Sequence, residues 1–183
     1  VILIIIGLVA LFSATQNSNY DELKKQIVWI MVSIPILIAI IAIDYELLIK
    51  IAPILYGIII LLLAGVLFTT PINGATSWYN IGAVSFQPAE LAKIVIILSL
   101  TYTIVKIQAS GKKEINVIYK LAIILGVARV LVLLIIKQPN YGTAIAFIMA
   151  LIFMLFVAGI DKKYVIIAIA VVIVAVPLLY FFI

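Results

Sequence analysis

The feature that most constrains this chain is a succession of apolar runs, most of them close to the length that crosses a lipid bilayer. A membrane-spanning helix needs roughly 20 mainly apolar residues. The hydrophobic fraction of 68% and the charged fraction of 10% leave too little polar surface for a domain that faces water. We therefore predict an all-α, polytopic integral membrane bundle, with spans at 1–13, 27–43, 49–69, 88–107, 120–136, 143–160 and 165–183.

The chain begins and ends within such apolar runs. The first run is too short to cross a bilayer and lacks the basic flank of a signal peptide, and the last stops at Ile183. We expect a single transmembrane domain over 1–183 that is truncated at both ends.

Several kinds of chemistry are excluded by composition. The chain has no cysteine and no histidine, so it forms no disulfide or thiolate metal site and lacks the commonest metal ligand. The net charge of +5 comes from basic residues scattered between apolar runs, so it does not predict a nucleic-acid interface.

The lysines between the spans predict the orientation of the chain in a membrane. If the first helix runs outward, the cytoplasmic side holds seven loop lysines and the outer side holds three. The N-terminal side is then cytoplasmic, and the polar segment 70–87 is extracytoplasmic. The seven are Lys50, Lys106, Lys112, Lys113, Lys120, Lys162 and Lys163, and the three are Lys24, Lys25 and Lys137.

A polar, glycine-rich stretch, 71-PINGATSWYNIGAVSFQPAELAK-93, interrupts the apolar runs and ends in a charged pair. Glu90 and Lys93 are spaced i,i+3, so they share one face of the helix that starts near Pro88. In one interpretation the stretch is structural: Gln87 or Ser85 caps the helix, the helix dipole favours the glutamate, and the lysine neutralises it. In the other, the pair meets an anionic head group. The lysine favours this second interpretation, because a cation in the first turns opposes the dipole.

A second polar break, 137-KQPNYGTA-144, separates two runs that together are too long for one crossing. Pro139 and Gly142 interrupt the backbone, and Gln138, Asn140 and Thr143 can satisfy the polar groups that the break frees. The segment is either a plain interhelical turn or, with the first motif, part of one shared outward-facing cavity.

Arg129 lies in the middle of an apolar run, where a charge needs an acidic partner or a water-filled cavity. We assign it no role from the sequence.

Both motifs resemble those of one known family. The run NGATSWYNIGAVSFQPAELAK resembles the NGA-x-x-W…G…FQP[SA]ELAK signature of the SEDS family (shape, elongation, division and sporulation), and KQPNYGTA resembles its QPDxGTA motif. Their spacing, the seven spans and the orientation match the first seven of that family's ten helices. The loop and the segment MLFVAGI are more similar to the elongation branch than to the division branch.

The resemblance implies a peptidoglycan glycosyltransferase in the bacterial cytoplasmic membrane. Such enzymes polymerise lipid II on the outer membrane face, with the polyprenyl-linked glycan as donor and a carboxylate as general base. Their partners are membrane lipids, a class B penicillin-binding protein and the elongation machinery, and a divalent cation commonly supports activity. The family's proposed catalytic aspartate falls in a loop after Ile183, so we expect no catalytic residue in this chain and no activity from it alone.

The resemblance also carries roles to individual positions. It implies a substrate-binding cavity formed by Glu90, Lys93, Gln87, Trp78, Gln138, Asn140 and Thr143, and structural roles for Pro88, Pro139 and Gly142. Asn140 stands where the motif has an aspartate, which argues against a cation at that position, and we predict no metal ligand.

Two other functions stay open at this point. The same charged cavity could belong to a flippase for lipid-linked precursors, or the chain could be a non-catalytic scaffold for a penicillin-binding protein.

Overall fold

The computed structural model describes residues 2–16, 20–70, 76–81, 84–167, 169–171 and 173, which form two compact units, Val1–Tyr45 and Glu46–Ile183. Its helices are α1 (Ile2–Ala14), α2 (Asp21–Ala42), α3 (Tyr45–Gly65), α4 (Pro88–Gln108), α5 (Ile118–Lys137) and α6 (Tyr141–Val157). Two short strands are β1 (Tyr79–Ile81) and β2 (Val84–Phe86), the 3₁₀ helices are Val66–Phe68 and Lys112–Asn116, and residues 162–167 are helical.

The first unit contains α1 and α2. The rings of Phe12 and Tyr20 stack with centroids 5.4 Å apart between the two helices. Helix α2 begins at Asp21, earlier than the predicted residue 27, because Asp21 and Glu22 suit the positive end of the helix dipole. No residue of α1 or α2 is buried.

The second unit has its core around α4. This helix packs against both α5 and α6, and eight of its residues are buried. Leu63 of α3, Leu131 of α5 and Phe147 of α6 belong to the same apolar cluster. The eight are Pro88, Ala89, Ala92, Val95, Ile96, Ser99, Leu100 and Ile104.

Side-chain to main-chain hydrogen bonds join the helices of this unit. The Tyr56 hydroxyl on α3 donates to the Val127 carbonyl on α5 at 2.8 Å. Gln108, the last residue of α4, donates from Nε2 to the Ala158 carbonyl beyond α6 at 2.7 Å. We call the end where α4 and α6 finish and α5 begins the lysine end. The end where α3 and α5 finish and α4 begins is the hairpin end.

Helix α6 finishes at the lysine end in a glycine turn. Gly159 has a φ of 84°, which glycine adopts without a steric penalty. Its N–H donates to the Phe156 carbonyl, and the Ile160 N–H donates to the Leu155 carbonyl, which is a Schellman motif. The turn directs the following residues back along the bundle.

The strands β1 and β2 form an antiparallel hairpin that leads into α4. Its register pairs Tyr79 with Phe86, Asn80 with Ser85 and Ile81 with Val84. The hairpin departs from the predicted all-α chain, because three-residue strands are too short to show a clear alternation of apolar and polar residues in the sequence.

The predicted spans can be compared with helices only where the structure describes the chain. There, three helical segments are long and apolar enough by length and composition to cross a bilayer: Asp21–Ala42, Tyr45–Phe68 and Ile118–Lys137. Two shorter apolar helices are Ile2–Ala14 and Tyr141–Val157. Most of the predicted span 165–183 lies outside the described residues.

The hairpin is tied to the last turn of α3. The Tyr79 hydroxyl donates to the Leu62 carbonyl at 2.9 Å, and it passes so close to Gly65 that an added Cβ there would lie 2.5 Å from the hydroxyl oxygen. Glycine at position 65 therefore permits this hydrogen bond.

We predict that Gly65→Ala lowers the thermal stability of the protein in detergent, whereas Gly57→Ala does not. The added methyl at 65 displaces Tyr79 and costs about 1 kcal/mol for one hydrogen bond. An added Cβ at Gly57 meets no atom within 4 Å, which makes it the matched control. In a Tyr79→Phe background the cost of Gly65→Ala should shrink, and an equal cost in both backgrounds would contradict the contact.

Candidate functional site

The hairpin end is held by a hydrogen-bonded group that we call the latch: Leu62, Leu63, Ser77, Tyr79 and Gln138. Gln138 follows α5, and its Nε2 donates to the Leu63 carbonyl at 3.0 Å. The Gln138 main-chain carbonyl accepts from the Ser77 hydroxyl at 3.0 Å. Together with the bond from Tyr79 to Leu62, these contacts join the end of α3, the start of the hairpin and the turn after α5.

Gln138 lies inside the bundle. Its exposed fraction is 0%, and Ser77 beside it is also buried. The Gln138 Oε1 atom has no hydrogen-bond partner among the described residues. Without the Nε2 donor, the Leu63 carbonyl would also lose its hydrogen bond inside the bundle. The geometry therefore gives Gln138 a structural role at this end of the bundle.

Glu90 and Lys93 form an ion pair at the start of α4. The Lys93 Nζ lies 2.8 Å from Glu90 Oε1. The Lys93 side chain is 43% exposed and the Glu90 side chain is 59% exposed. Because water or lipid head groups can reach both, the pair contributes little to folding stability. The i,i+3 geometry predicted from the sequence is present, and both charges are open to a ligand.

Neither Gln87 nor Ser85, the two caps considered in the structural interpretation, caps α4 with its side chain. Gln87 occupies the N-cap position in an extended conformation, but its side chain makes no capping hydrogen bond. The Ser85 hydroxyl instead donates to Asn80 Oδ1 at 2.8 Å, because the hairpin places these two residues opposite each other. The helix begins at Pro88, whose ring fixes a helical φ and needs no N–H partner.

The start of α6 is capped by its own motif. Asn140 occupies the N-cap position, and its side-chain oxygen accepts from the Thr143 N–H at 3.3 Å. Asn140 therefore caps the N-terminus of α6, as an aspartate at this position would also do. Pro139 is exposed, and an added Cβ at Gly142 would meet no atom within 4 Å, so close packing does not explain the glycine.

The predicted cavity residues have different roles and exposures at the hairpin end. Gln138 is in the latch, the Asn140 side chain caps α6 by accepting from the Thr143 N–H, and Glu90 and Lys93 form an ion pair on α4. Gln87 is half-buried just before α4, and Trp78 is exposed on the segment between Ser77 and Tyr79.

Sequence reasoning did not identify Ser77 and Tyr79 as important. Their hydrogen bonds end on main-chain carbonyls 61 and 17 residues away. Every residue has a main-chain carbonyl, so the sequence does not indicate which carbonyls accept these hydrogen bonds. The one available signal is that both residues flank Trp78 within the first motif.

Arg129 is exposed on α5 and forms no ion pair with any residue that the structure describes. The acidic partner that a mid-span charge calls for is thus not found within this part of the chain.

The described residues contain no cluster of ligands for the divalent cation that the resemblance implies. All seven acidic residues lie in described segments, and no three of them come together in a group that could hold a metal ion. Glu90 is bonded to Lys93, and the Asn140 side chain accepts from Thr143. These residues do not fit a cation site by themselves, since a divalent cation needs several oxygen ligands.

Comparison with known proteins identifies the family. The chain matches the profile of the FtsW/RodA/SpoVE family, described as cell cycle proteins, over residues 1–183. The peptidoglycan glycosyltransferase RodA of Treponema pallidum is 30% identical to it over 159 residues, which are 84% of this chain and 36% of that protein.

Solved structures agree with this result. The crystal structure of the Thermus thermophilus rod shape determining protein RodA matches with a TM-score of 0.73 at 26% identity, over 94% of this chain and 57% of that one. A chain from a peptidoglycan synthase complex that coordinates polymerization and crosslinking matches with a TM-score of 0.77 at 25% identity, over 96% of this chain and 52% of that one.

This chain therefore spans between 36% and 57% of the length of these three proteins. The RodA structures are polytopic helical membrane proteins, so the predicted fold class is confirmed. Because the family profile covers every residue, the chain belongs to the FtsW/RodA/SpoVE family of cell cycle proteins, the SEDS family that its two motifs resemble.

Proposed function

We propose that this chain is part of a peptidoglycan glycosyltransferase that polymerises lipid II for cell elongation. Membership of the family supports the proposal, and so does the RodA relative, which is itself a peptidoglycan glycosyltransferase. The observation that carries it to particular residues is the exposed Glu90–Lys93 pair at the hairpin end.

The proposal includes an orientation in the bacterial cytoplasmic membrane. The N-terminal side is cytoplasmic, and the hairpin end faces outward. The excess of lysines in the loops of the opposite end supports this, because cytoplasmic loops are enriched in lysine and arginine. The hairpin end would then lie where lipid-linked precursors present their head groups.

The reaction requires charge to be balanced at a leaving pyrophosphate. The 4-hydroxyl of the incoming lipid II sugar attacks the anomeric carbon of the growing glycan and loses its proton to a carboxylate base. The bond from that carbon to the polyprenyl pyrophosphate breaks, and the pyrophosphate leaves with the electron pair. We assign the base to no residue of this chain.

Lys93 suits the role of a countercharge for that pyrophosphate. Its ammonium group is partly exposed, and Glu90 holds it at 2.8 Å, so the lysine is oriented before a ligand arrives. The first turn of α4 adds the positive end of a helix dipole at the same place. An anionic group can therefore interact with both.

A class B penicillin-binding protein is the proposed partner. The similar chain from the peptidoglycan synthase complex supports this, since that complex couples polymerization to crosslinking.

We predict that Lys93→Ala in the whole protein lowers the rate of glycan polymerisation at least tenfold, which is about 1.4 kcal/mol of lost transition-state stabilisation. The assay follows labelled lipid II in proteoliposomes that contain the partner. Lys25→Ala is the matched control, because Lys25 and Glu22 form an i,i+3 pair with an N–O distance of 2.9 Å on α2. Neither change should shift the melting temperature appreciably, since both pairs are exposed.

Three results would contradict the proposed role or function. Equal rates for Lys93→Ala and Lys25→Ala would remove Lys93 from the site. Transport of labelled lipid II across the bilayer without polymer would instead favour the flippase. Full polymerisation combined with lost co-purification of the partner would favour the scaffold role for this pair.

We predict the opposite pattern for Gln138. Gln138→Leu should destabilise the protein by about 1–3 kcal/mol, because the buried Leu63 carbonyl loses its donor. Gln138→Glu should cost more, since it buries a carboxylate. Thermal unfolding in detergent measures both, with the exposed neighbour change Lys137→Gln as control. Unchanged unfolding with lost polymerisation would show that Gln138 contacts substrate instead.

A further inference from the structure

The lysine end contains an apolar pocket that the proposed function does not use. The pocket has a volume of about 170 Å³ and lies between α5, α6 and the residues that follow α6. Its lining is almost entirely apolar and includes Leu121, Leu125, Ile152, Leu155, Ile160 and Tyr164.

One wall of the pocket is held in place by main-chain hydrogen bonds. The Schellman motif at Gly159 fixes Ile160, and the Asp161 N–H donates to Asn116 Oδ1 at 2.9 Å. The pocket is thus bounded by an ordered turn as well as by two helices.

The chain segments that adjoin the pocket-lining residues in sequence are basic. The segments 106–120 and 161–163 contain six lysines and two acidic residues, a net charge of +4. Lys120 is paired with Glu114, and the Lys163 ammonium lies 4.9 Å from the centroid of the Tyr164 ring. Because Tyr164 lines the pocket, this cation lies next to the apolar space.

We propose that this pocket binds part of one acyl chain of an anionic phospholipid, whose phosphate contacts Lys162 and Lys163. An open apolar pocket in a bilayer takes up an acyl chain because an unfilled void loses van der Waals contacts. The acyl chain gains no hydrophobic energy over bulk lipid, so the lysines supply the selectivity. Each basic residue near the surface contributes about 1 kcal/mol toward an anionic lipid, or about fivefold in affinity.

The charges that face the phosphate include acids as well as lysines. Asp161 Oδ2 lies 3.7 Å from the Lys163 Nζ, so a bound phosphate competes with this carboxylate. Lys162 is exposed and forms no ion pair among the described residues, so no carboxylate there competes with a phosphate for its ammonium group, unlike that of Lys163. The inference does not depend on the glycosyltransferase activity or on the direction in which the chain crosses the membrane.

Native mass spectrometry of the whole protein tests the proposal. The protein is equilibrated in micelles with equal amounts of phosphatidylglycerol and phosphatidylcholine that share the same acyl chains. We expect one retained phosphatidylglycerol in preference to phosphatidylcholine. Lys162→Gln with Lys163→Gln should lower that preference five- to thirtyfold. The matched control, Lys24→Gln with Lys25→Gln, removes two exposed lysines from α2 and should leave it unchanged.

A second set of variants tests the pocket. Leu125→Trp should fill it and lower the retention of both lipids, whereas Leu61→Trp, at a 73% exposed position on α3, should not. If Leu125→Trp alters the elution volume of the protein, the smaller change Leu125→Phe replaces it. Wild-type protein that retains no lipid, or both lipids equally, overturns the proposal. So does retention that Leu125→Trp leaves unchanged.

Discussion

The structure depends on one constraint: inside a bilayer, every main-chain N–H and carbonyl group must find its partner within the protein. Helices meet this requirement along their length, but the ends of helices do not. At the hairpin end, the carbonyls of Leu62, Leu63 and Gln138 accept hydrogen bonds from Tyr79, Gln138 and Ser77 respectively. The latch therefore allows α3 and α5 to end beside a polar loop without leaving these carbonyls unpaired.

The latch and the charged pair differ in what they can do. Gln138 is fully buried, so its hydrogen bonds contribute to folding and a ligand cannot reach it in this conformation. Glu90 and Lys93 are exposed, so their ion pair adds little to stability and keeps its charge available for recognition. The hairpin connects the two, because β1 starts in the latch and β2 leads into α4.

The two ends of the second unit present different chemistry to a membrane. The hairpin end carries a polar latch and one exposed ion pair, while the lysine end carries an apolar pocket beside a net positive charge. We propose a different class of ligand for each end, a pyrophosphate-linked glycan at the hairpin end and an anionic phospholipid at the lysine end. Arg129, on the exposed side of α5, belongs to neither group.

The sequence by itself determined the helical membrane class, the i,i+3 pairing of Glu90 with Lys93, and the break between α5 and α6. These follow from hydrophobic length, helical periodicity and the backbone limits of proline, which are local properties. Only the tertiary structure decided that Gln138 is buried, that Ser85 bonds to Asn80 rather than capping α4, and that Gly65 admits Tyr79. Those outcomes depend on main-chain atoms and on open space that the fold brings together from distant parts of the chain. The identity of a single residue specifies neither the atoms nor the space.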